Sequence, residues 1–139
     1  MTGSASMDAE RAFTREARAR RLATMVRRLR REPADCGRLA VYDEHGGHAG
    51  IPAVREIPLD AIAGTVEPSR AELFDGDFRP AGAARSRWQR VWLAEHRGAV
   101  LPPISVVRVG DAYAVRDGHH RVSVARARGA LTIDAAVEA

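Results

Sequence analysis

The stretch that decides the fold is Leu101-Pro-Pro-Ile-Ser-Val-Val-Arg-Val-Gly-Asp-Ala-Tyr-Ala-Val-Arg-Asp-Gly-His-His-Arg121. Its β-branched run Ile104–Val109 is followed by Gly110-Asp111 and then by an alternating apolar segment, Tyr113–Val115. This pattern predicts a β-hairpin closed by a two-residue turn, because glycine supplies the positive φ that such turns need.

An apolar helical segment follows Arg121, with Gly129 as its stop, and Thr132–Val137 reads as a closing strand. The order hairpin, glycine turn, helix, strand predicts an α/β (α+β) domain with a small mixed sheet. It also places Gly118 and the histidine pair at the N-terminus of a helix.

The segment Asp117-Gly-His-His-Arg121 combines residues that suit a phosphate site. A helix N-terminus offers unpaired N–H groups, Gly118 allows close backbone approach, and Arg121 is able to hold a phosphate through two parallel hydrogen bonds. Asp117 is a candidate metal ligand or proton acceptor, and His119 and His120 are candidates for hydrogen bonding or acid–base chemistry. In a purely structural interpretation, Asp117 caps the helix and one histidine packs inward.

Upstream patterns supply the rest of the core. Ile57-Pro-Leu-Asp-Ala-Ile62 predicts a short strand followed by a turn, and Phe74 and Phe78 are expected to anchor an irregular stretch. Residues 84–97 predict a helix whose Trp88 and Trp92 face the core, with Gly98 as its stop. Residues 34–50 are expected to be loop-like, and their His45-Gly-Gly-His48 reads as a glycine-rich turn rather than a metal site.

Residues 8–31 predict one helix, since they contain neither Gly nor Pro and Pro33 follows. They carry nine arginines against three acids, whereas residues 32–139 carry 13 arginines against 15 acids. The basic surplus therefore lies on this helix, which is either a basic arm for DNA phosphates or a surface helix that packs an apolar stripe on the body. The expected stripe consists of Phe13, Ala17, Leu22, Met25, Val26 and Leu29.

Composition excludes several classes. The 139 residues suit one ordinary domain, a single cysteine (Cys36) excludes a disulfide framework, and no long uncharged apolar run predicts a transmembrane helix. No apolar segment of a signal peptide follows Met1, so a cytoplasmic protein without a membrane partner is expected. All 22 basic residues are arginine and asparagine is absent, which is typical of a GC-rich bacterial genome and weakens arginine content as a sign of DNA binding.

These segments together resemble the ParB/sulfiredoxin-like superfamily. The resemblance runs from Ile57-Pro-Leu-Asp-Ala-Ile62 to Ile133-Asp-Ala-Ala-Val137 and is strongest over residues 101–137. It implies a ParB/sulfiredoxin-like domain over residues 51–139, with residues 1–50 as a basic helix and loop extension.

The branches of that superfamily differ at the motif. Sulfiredoxins carry Gly-Cys-His-Arg, but here His119 replaces the cysteine, so sulfiredoxin activity is not expected. Partition proteins carry Gly-Glu-Arg-Arg and bind CTP. The string Asp117–Arg121 is similar to that of free-serine kinases, which implies Asp117, Glu67 and His119 as catalytic residues. The resemblance to ParB-like nucleases implies instead a metal site, which only Asp117 with Glu67, or the histidine pair, could supply.

The resulting expectation is a nucleotide site in which Gly118, His119, His120 and Arg121 hold ATP, ADP or CTP, and Asp117 holds Mg²⁺. Whether the protein hydrolyses the nucleotide or transfers its phosphoryl group to a small hydroxyl substrate stays open, as does its oligomeric state. The alternatives are a non-enzymatic, nucleotide-switched module that contacts DNA through residues 8–31, and a ParB-like nuclease.

Overall fold

The structure is a computed structural model that describes residues 2–33, 35–43 and 51–138. Within these ranges the strands form one mixed sheet in the order β1-β3-β5-β4-β6-β2. The strands are β1 (Ala40–Val41), β2 (Ala53–Pro58), β3 (Ile62–Thr65), β4 (Ile104–Val109), β5 (Ala112–Asp117) and β6 (Thr132–Glu138), and the helices are α1 (Thr2–Leu29), α2 (Arg85–His96) and α3 (His119–Ala127).

The predicted hairpin lies at the centre of the sheet. Strands β4 and β5 pair antiparallel across a turn in which Gly110 has φ 59°. Strand β4 then pairs in parallel with β6, and β5 pairs in parallel with β3, so the sheet is mixed as expected. Because β3 runs parallel to β5, the carboxyl ends of these two strands lie at the same edge of the sheet, and α3 begins at that edge.

The helices cover one face of this sheet. Successive residues of β4 point to opposite faces: Val106 joins the main core with the helices, whereas Val107 joins a smaller cluster on the other face. Trp88 of α2 is fully buried, and its Nε1 donates a hydrogen bond to Ser123 Oγ of α3 at 2.8 Å. Trp92, Phe74 and Phe78 are also buried, so the predicted core positions of all four aromatic residues are confirmed.

Helix α1 begins at Thr2, earlier than the predicted start at residue 8, and ends at Leu29. The expected single apolar stripe is confirmed for two of its six residues. Phe13 and Ala17 are buried against the body, but Leu22, Met25, Val26 and Leu29 are all exposed. No helix among the described residues is long and apolar enough to span a membrane.

The described part of residues 1–50 is tied to the rest of the chain. Phe13 of α1 meets Trp88 edge to face at 5.6 Å between ring centroids. Strand β1 lies within the segment expected to be loop, and it pairs in parallel with β3 at the sheet edge. The extension therefore contributes both to the main core and to the sheet. His45 and His48 lie outside the described residues.

Candidate functional site

The site begins where β5 gives way to α3. Gly118 is the N-cap residue of α3, with φ 106° and ψ 23°, and His119 is the first helical residue, as the sequence predicts. No side chain caps this helix, so the interpretation of Asp117 as a helix cap is wrong. The first N–H groups of α3 are therefore not satisfied by a capping side chain.

Two features require glycine at position 118: the backbone conformation and the close packing of Ile104. Its φ lies in the left-handed region that side chains disfavour, and a Cβ atom there would lie 2.5 Å from Ile104 Cγ2. Strand β4 therefore packs directly beneath the start of α3. This packing fixes where the helix N-terminus points.

Both histidines of the motif are buried. The Nε2 atom of His119 lies 2.6 Å from Thr65 Oγ1 at the end of β3. Both imidazole rings lie against Phe74. The His119 ring is stacked on the Phe74 ring, with 6.4 Å between ring centroids, and the His120 ring is T-shaped to it, with 5.1 Å between centroids. The two side chains thus anchor the first turn of α3 to β3 and to the aromatic cluster.

The pKa of each histidine is lowered from 6.5 to about 4. Burial is the largest cause for both, because it disfavours the charged imidazolium. The positive charges of Arg70 and Arg87 lower both pKa values further, whereas Asp117 raises that of His119. Both rings are therefore neutral at pH 7.

A cleft of about 210 Å³ opens at the start of α3. Three arginines from separate elements line it: Arg70 from the turn after β3, Arg87 from α2 and Arg121 from α3. Asp117 is the single carboxylate among the described residues that line it. The Nε atom of Arg121 is buried and makes no hydrogen bond within the described residues. The arrangement favours an anion, since three guanidinium groups face one carboxylate.

A second cavity of about 400 Å³ adjoins the cleft and shares Arg87, Val91 and Arg121 with it. It adds one more arginine, Arg90, together with the apolar side chain of Leu101. A ligand whose charged end sits in the cleft has room here for a less polar portion.

The sequence-predicted site residues divide into two groups. Asp117, Gly118, His119, His120 and Arg121 all line the cleft.

Glu67 belongs to the other group. Its backbone N–H donates a hydrogen bond to Thr65 Oγ1 at 2.9 Å, and the same oxygen contacts His119 Nε2. Glu67 is not, however, among the described residues that line the cleft. Sequence reasoning missed Thr65, Arg70 and Arg87. The one available signal was the position of Arg70 close to Glu67 in the chain.

No group of three or more His, Cys, Asp and Glu side chains suitable for a metal ion occurs in the described ranges. Asp117 is exposed at the mouth of the cleft and offers one carboxylate. The donor set therefore fits a cation that brings most of its ligands with it, as Mg²⁺ bound to phosphates does.

No protein-family model and no curated protein matches this chain. Among solved structures, the sulfiredoxin from Arabidopsis thaliana matches at 21% identity with a TM-score of 0.43, covering 63% of this chain and 85% of that chain. The described residues themselves form the small mixed sheet with helices that the sequence predicts.

Proposed function

We propose that the cleft at the start of α3 binds the phosphate groups of a nucleotide. The observation that carries this proposal is the meeting of Arg70, Arg87 and Arg121 at the N-terminus of α3. Guanidinium groups match phosphate oxygens in geometry, and backbone N–H groups at a helix start add further donors. The neutral state of His119 and His120 leaves the arginines to supply the positive charge.

In this proposal the phosphates lie against Gly118 and Arg121, and the nucleoside extends into the adjoining cavity. The shared residues Arg87 and Arg121 connect the two volumes, and Val91 and Leu101 offer apolar surface to a base or sugar. ATP, ADP and CTP are all candidates, because these contacts do not select a base.

Transfer of the terminal phosphoryl group to a small hydroxyl substrate is the finer proposal. Asp117 lies in the cleft and is exposed, so it is placed to accept the hydroxyl proton. In its alternative role, Asp117 would instead hold Mg²⁺ bound to the phosphates, and the cation would neutralise phosphate charge. His119 suits positioning better than proton transfer, because its ring is buried and Nε2 contacts Thr65. The catalytic role of Glu67 and the nuclease alternative stay predictions from the sequence.

Titration of the full chain with ATP, ADP and CTP, each with and without Mg²⁺, tests the proposal by calorimetry. Replacing Arg121 or Arg87 by Ala removes a charge-assisted contact worth roughly 1.5–3 kcal/mol, so affinity should fall about 10- to 150-fold. Arg55→Ala, on the exposed edge strand β2, is the matched control and should bind as the wild type does. Absence of binding by the wild-type chain, or wild-type affinity in Arg121→Ala, would exclude the site.

The alternative, a nucleotide-switched module that contacts DNA through α1, rests on the exposed arginines of that helix. If α1 binds the phosphate backbone, log–log salt dependence of the affinity should have a slope near −0.9 per phosphate contacted. Deleting residues 1–31 is not a clean test, because Phe13 belongs to the core. Charge reversal at exposed positions of α1 is the appropriate variant.

A further inference from the structure

Helix α1 carries two apolar stripes on opposite faces. The first is buried against the body and includes Phe13 and Ala17. Leu22 follows Phe13 by about two and a half turns, which places it on the opposite side of the helix. The second stripe, Leu22, Met25, Val26 and Leu29, has the i, i+3, i+4, i+7 spacing of a packed helix face, yet all four side chains are exposed, Leu29 by 79%.

The body side of this second half is polar. Thr24 Oγ1 donates to the backbone carbonyl of Arg20 and accepts a hydrogen bond from Arg27. The Arg27 guanidinium lies so close to Gly37 that a Cβ atom at position 37 would overlap the guanidinium group. The fold therefore uses polar contacts on this side, and it leaves the apolar stripe facing outward.

The same outward face continues toward the N-terminus as a basic track. Arg11, Arg15 and Arg18 are exposed and lie in heptad register with Leu22, Met25 and Leu29, at steps of four and three residues. An open surface depression of about 630 Å³, lined by residues of α1 alone, runs beside the three arginines from Glu10 to Leu22. We name these six residues the outward face of α1.

We propose that the outward face of α1 binds a helix of a partner protein whose facing stripe is acidic over one half and apolar over the other. The heptad spacing suits helix-on-helix packing, and the charge of Arg11, Arg15 and Arg18 selects carboxylates. The apolar half of the partner helix buries Leu22, Met25 and Leu29, which are exposed in the described fold.

Three other occupants fit this face less well. A second copy would place Arg15 against either arginine or the apolar half, depending on direction. A DNA backbone would use the arginines and leave Leu29 in water. A lipid surface calls for an apolar stripe along the whole helix, whereas this one covers only the second half.

Designed peptides provide the test on the full chain. Two 21-residue helical peptides carry Glu at the heptad positions of one half and Leu at those of the other, one with Glu first and one with Leu first. A third peptide of the same composition alternates Glu and Leu along its stripe. We expect one segregated peptide to bind at least about tenfold more tightly than the alternating one, by fluorescence anisotropy.

Two variants divide the contributions. Leu29→Ser with Met25→Ser, and separately Arg15→Glu with Arg18→Glu, should each weaken that binding about tenfold or more. Leu131→Ser, at an exposed leucine outside α1, is the control and should not change it. All replaced side chains are exposed, and an unchanged melting temperature confirms that each variant folds.

Several results would overturn the proposal. Equal affinity for segregated and alternating peptides, or loss in Leu131→Ser as well, would show non-specific attraction. Self-association removed by Leu29→Ser would assign the face to a second copy. Tight binding to phosphatidylserine vesicles or to duplex DNA, without preference among the peptides, would assign it to those partners.

Discussion

Thr65 Oγ1 lies 2.6 Å from His119 Nε2 and joins the end of β3 to the first residue of α3. The same oxygen accepts a hydrogen bond from the backbone N–H of Glu67 at 2.9 Å and lies 3.1 Å from the carbonyl oxygen of Val115. One buried hydroxyl thus holds together β3, β5 and α3, the elements whose ends form the cleft. These hydrogen bonds fix the position of His119 relative to β3.

Replacing Thr65 by Val should destabilise the protein by about 1–3 kcal/mol. The isosteric side chain keeps the packing but leaves His119 Nε2 and the Glu67 N–H without their buried partner. Thr65→Ser retains the hydroxyl and should recover most of that loss. Urea unfolding at pH 7.5 measures both variants, and equal stability of Thr65→Val and the wild type would show that the contact contributes nothing.

Stability should fall as the pH drops below 6.5. The unfolded chain protonates each histidine near pH 6.5, whereas folded His119 and His120 resist protonation until about pH 4. The unfolded state therefore binds more protons in this window, and each buried histidine should remove roughly 1 kcal/mol from the free energy of unfolding by pH 5.5. Urea unfolding at pH 7.5 and 5.5 checks this value.

His119→Gln isolates one share of that pH dependence. The variant loses its own contribution, so its decrease in unfolding free energy between pH 7.5 and 5.5 should be roughly half that of the wild type. Leu131→Ser, at an exposed leucine that does not titrate, should keep the full wild-type decrease. A decrease that is unchanged in His119→Gln would contradict the assignment to the buried pair.

Gly118→Ala should destabilise the protein more than Gly98→Ala. Both glycines have positive φ, 106° and 74°, so both variants carry the backbone strain of about 1 kcal/mol. A Cβ at Gly98 meets nothing within 4 Å, whereas one at Gly118 would overlap Ile104. The difference in melting temperature between the two variants measures the contact of Gly118 with β4, and equal losses would mean that Ile104 shifts without cost.

The parts of the fold that the sequence predicts are those made by local signals. The hairpin, the turn at Gly118 and the buried Trp88 follow from turn chemistry and from helical periodicity within short windows. Five of the residues that line the cleft are predictable as well, because they are consecutive in the chain, from Asp117 to Arg121.

The rest of the site depends on contacts that no local pattern reveals. Thr65 reaches His119 across 54 residues of chain. Arg87 joins the cleft because α2 packs against α3, and Arg70 joins it from the turn after β3. Helix α1 shows a different limit of the sequence pattern. Periodicity predicts the helix and places Leu22 on an apolar stripe, but it does not show which side of the helix packs against the body.

Asp117→Asn separates binding from chemistry. Gly118, not Asp117, is the N-cap of α3, so this variant should melt as the wild type does. In the absence of Mg²⁺, removing a negative charge beside the three arginines should keep nucleotide affinity or raise it slightly, since the Asp117 carboxylate then opposes the phosphates.

If Asp117 accepts the hydroxyl proton, the same variant should lose phosphoryl transfer by about 10²–10⁴-fold. Calorimetry with ATP and CTP gives the affinity, and phosphate release or transfer to small hydroxyl compounds gives the turnover. Asp134→Asn, at an exposed carboxylate of β6, should change neither. Turnover that survives in Asp117→Asn at the wild-type rate would remove Asp117 from the reaction and leave the cleft as a binding site, because a neutral amide accepts a hydroxyl proton far less readily than a carboxylate.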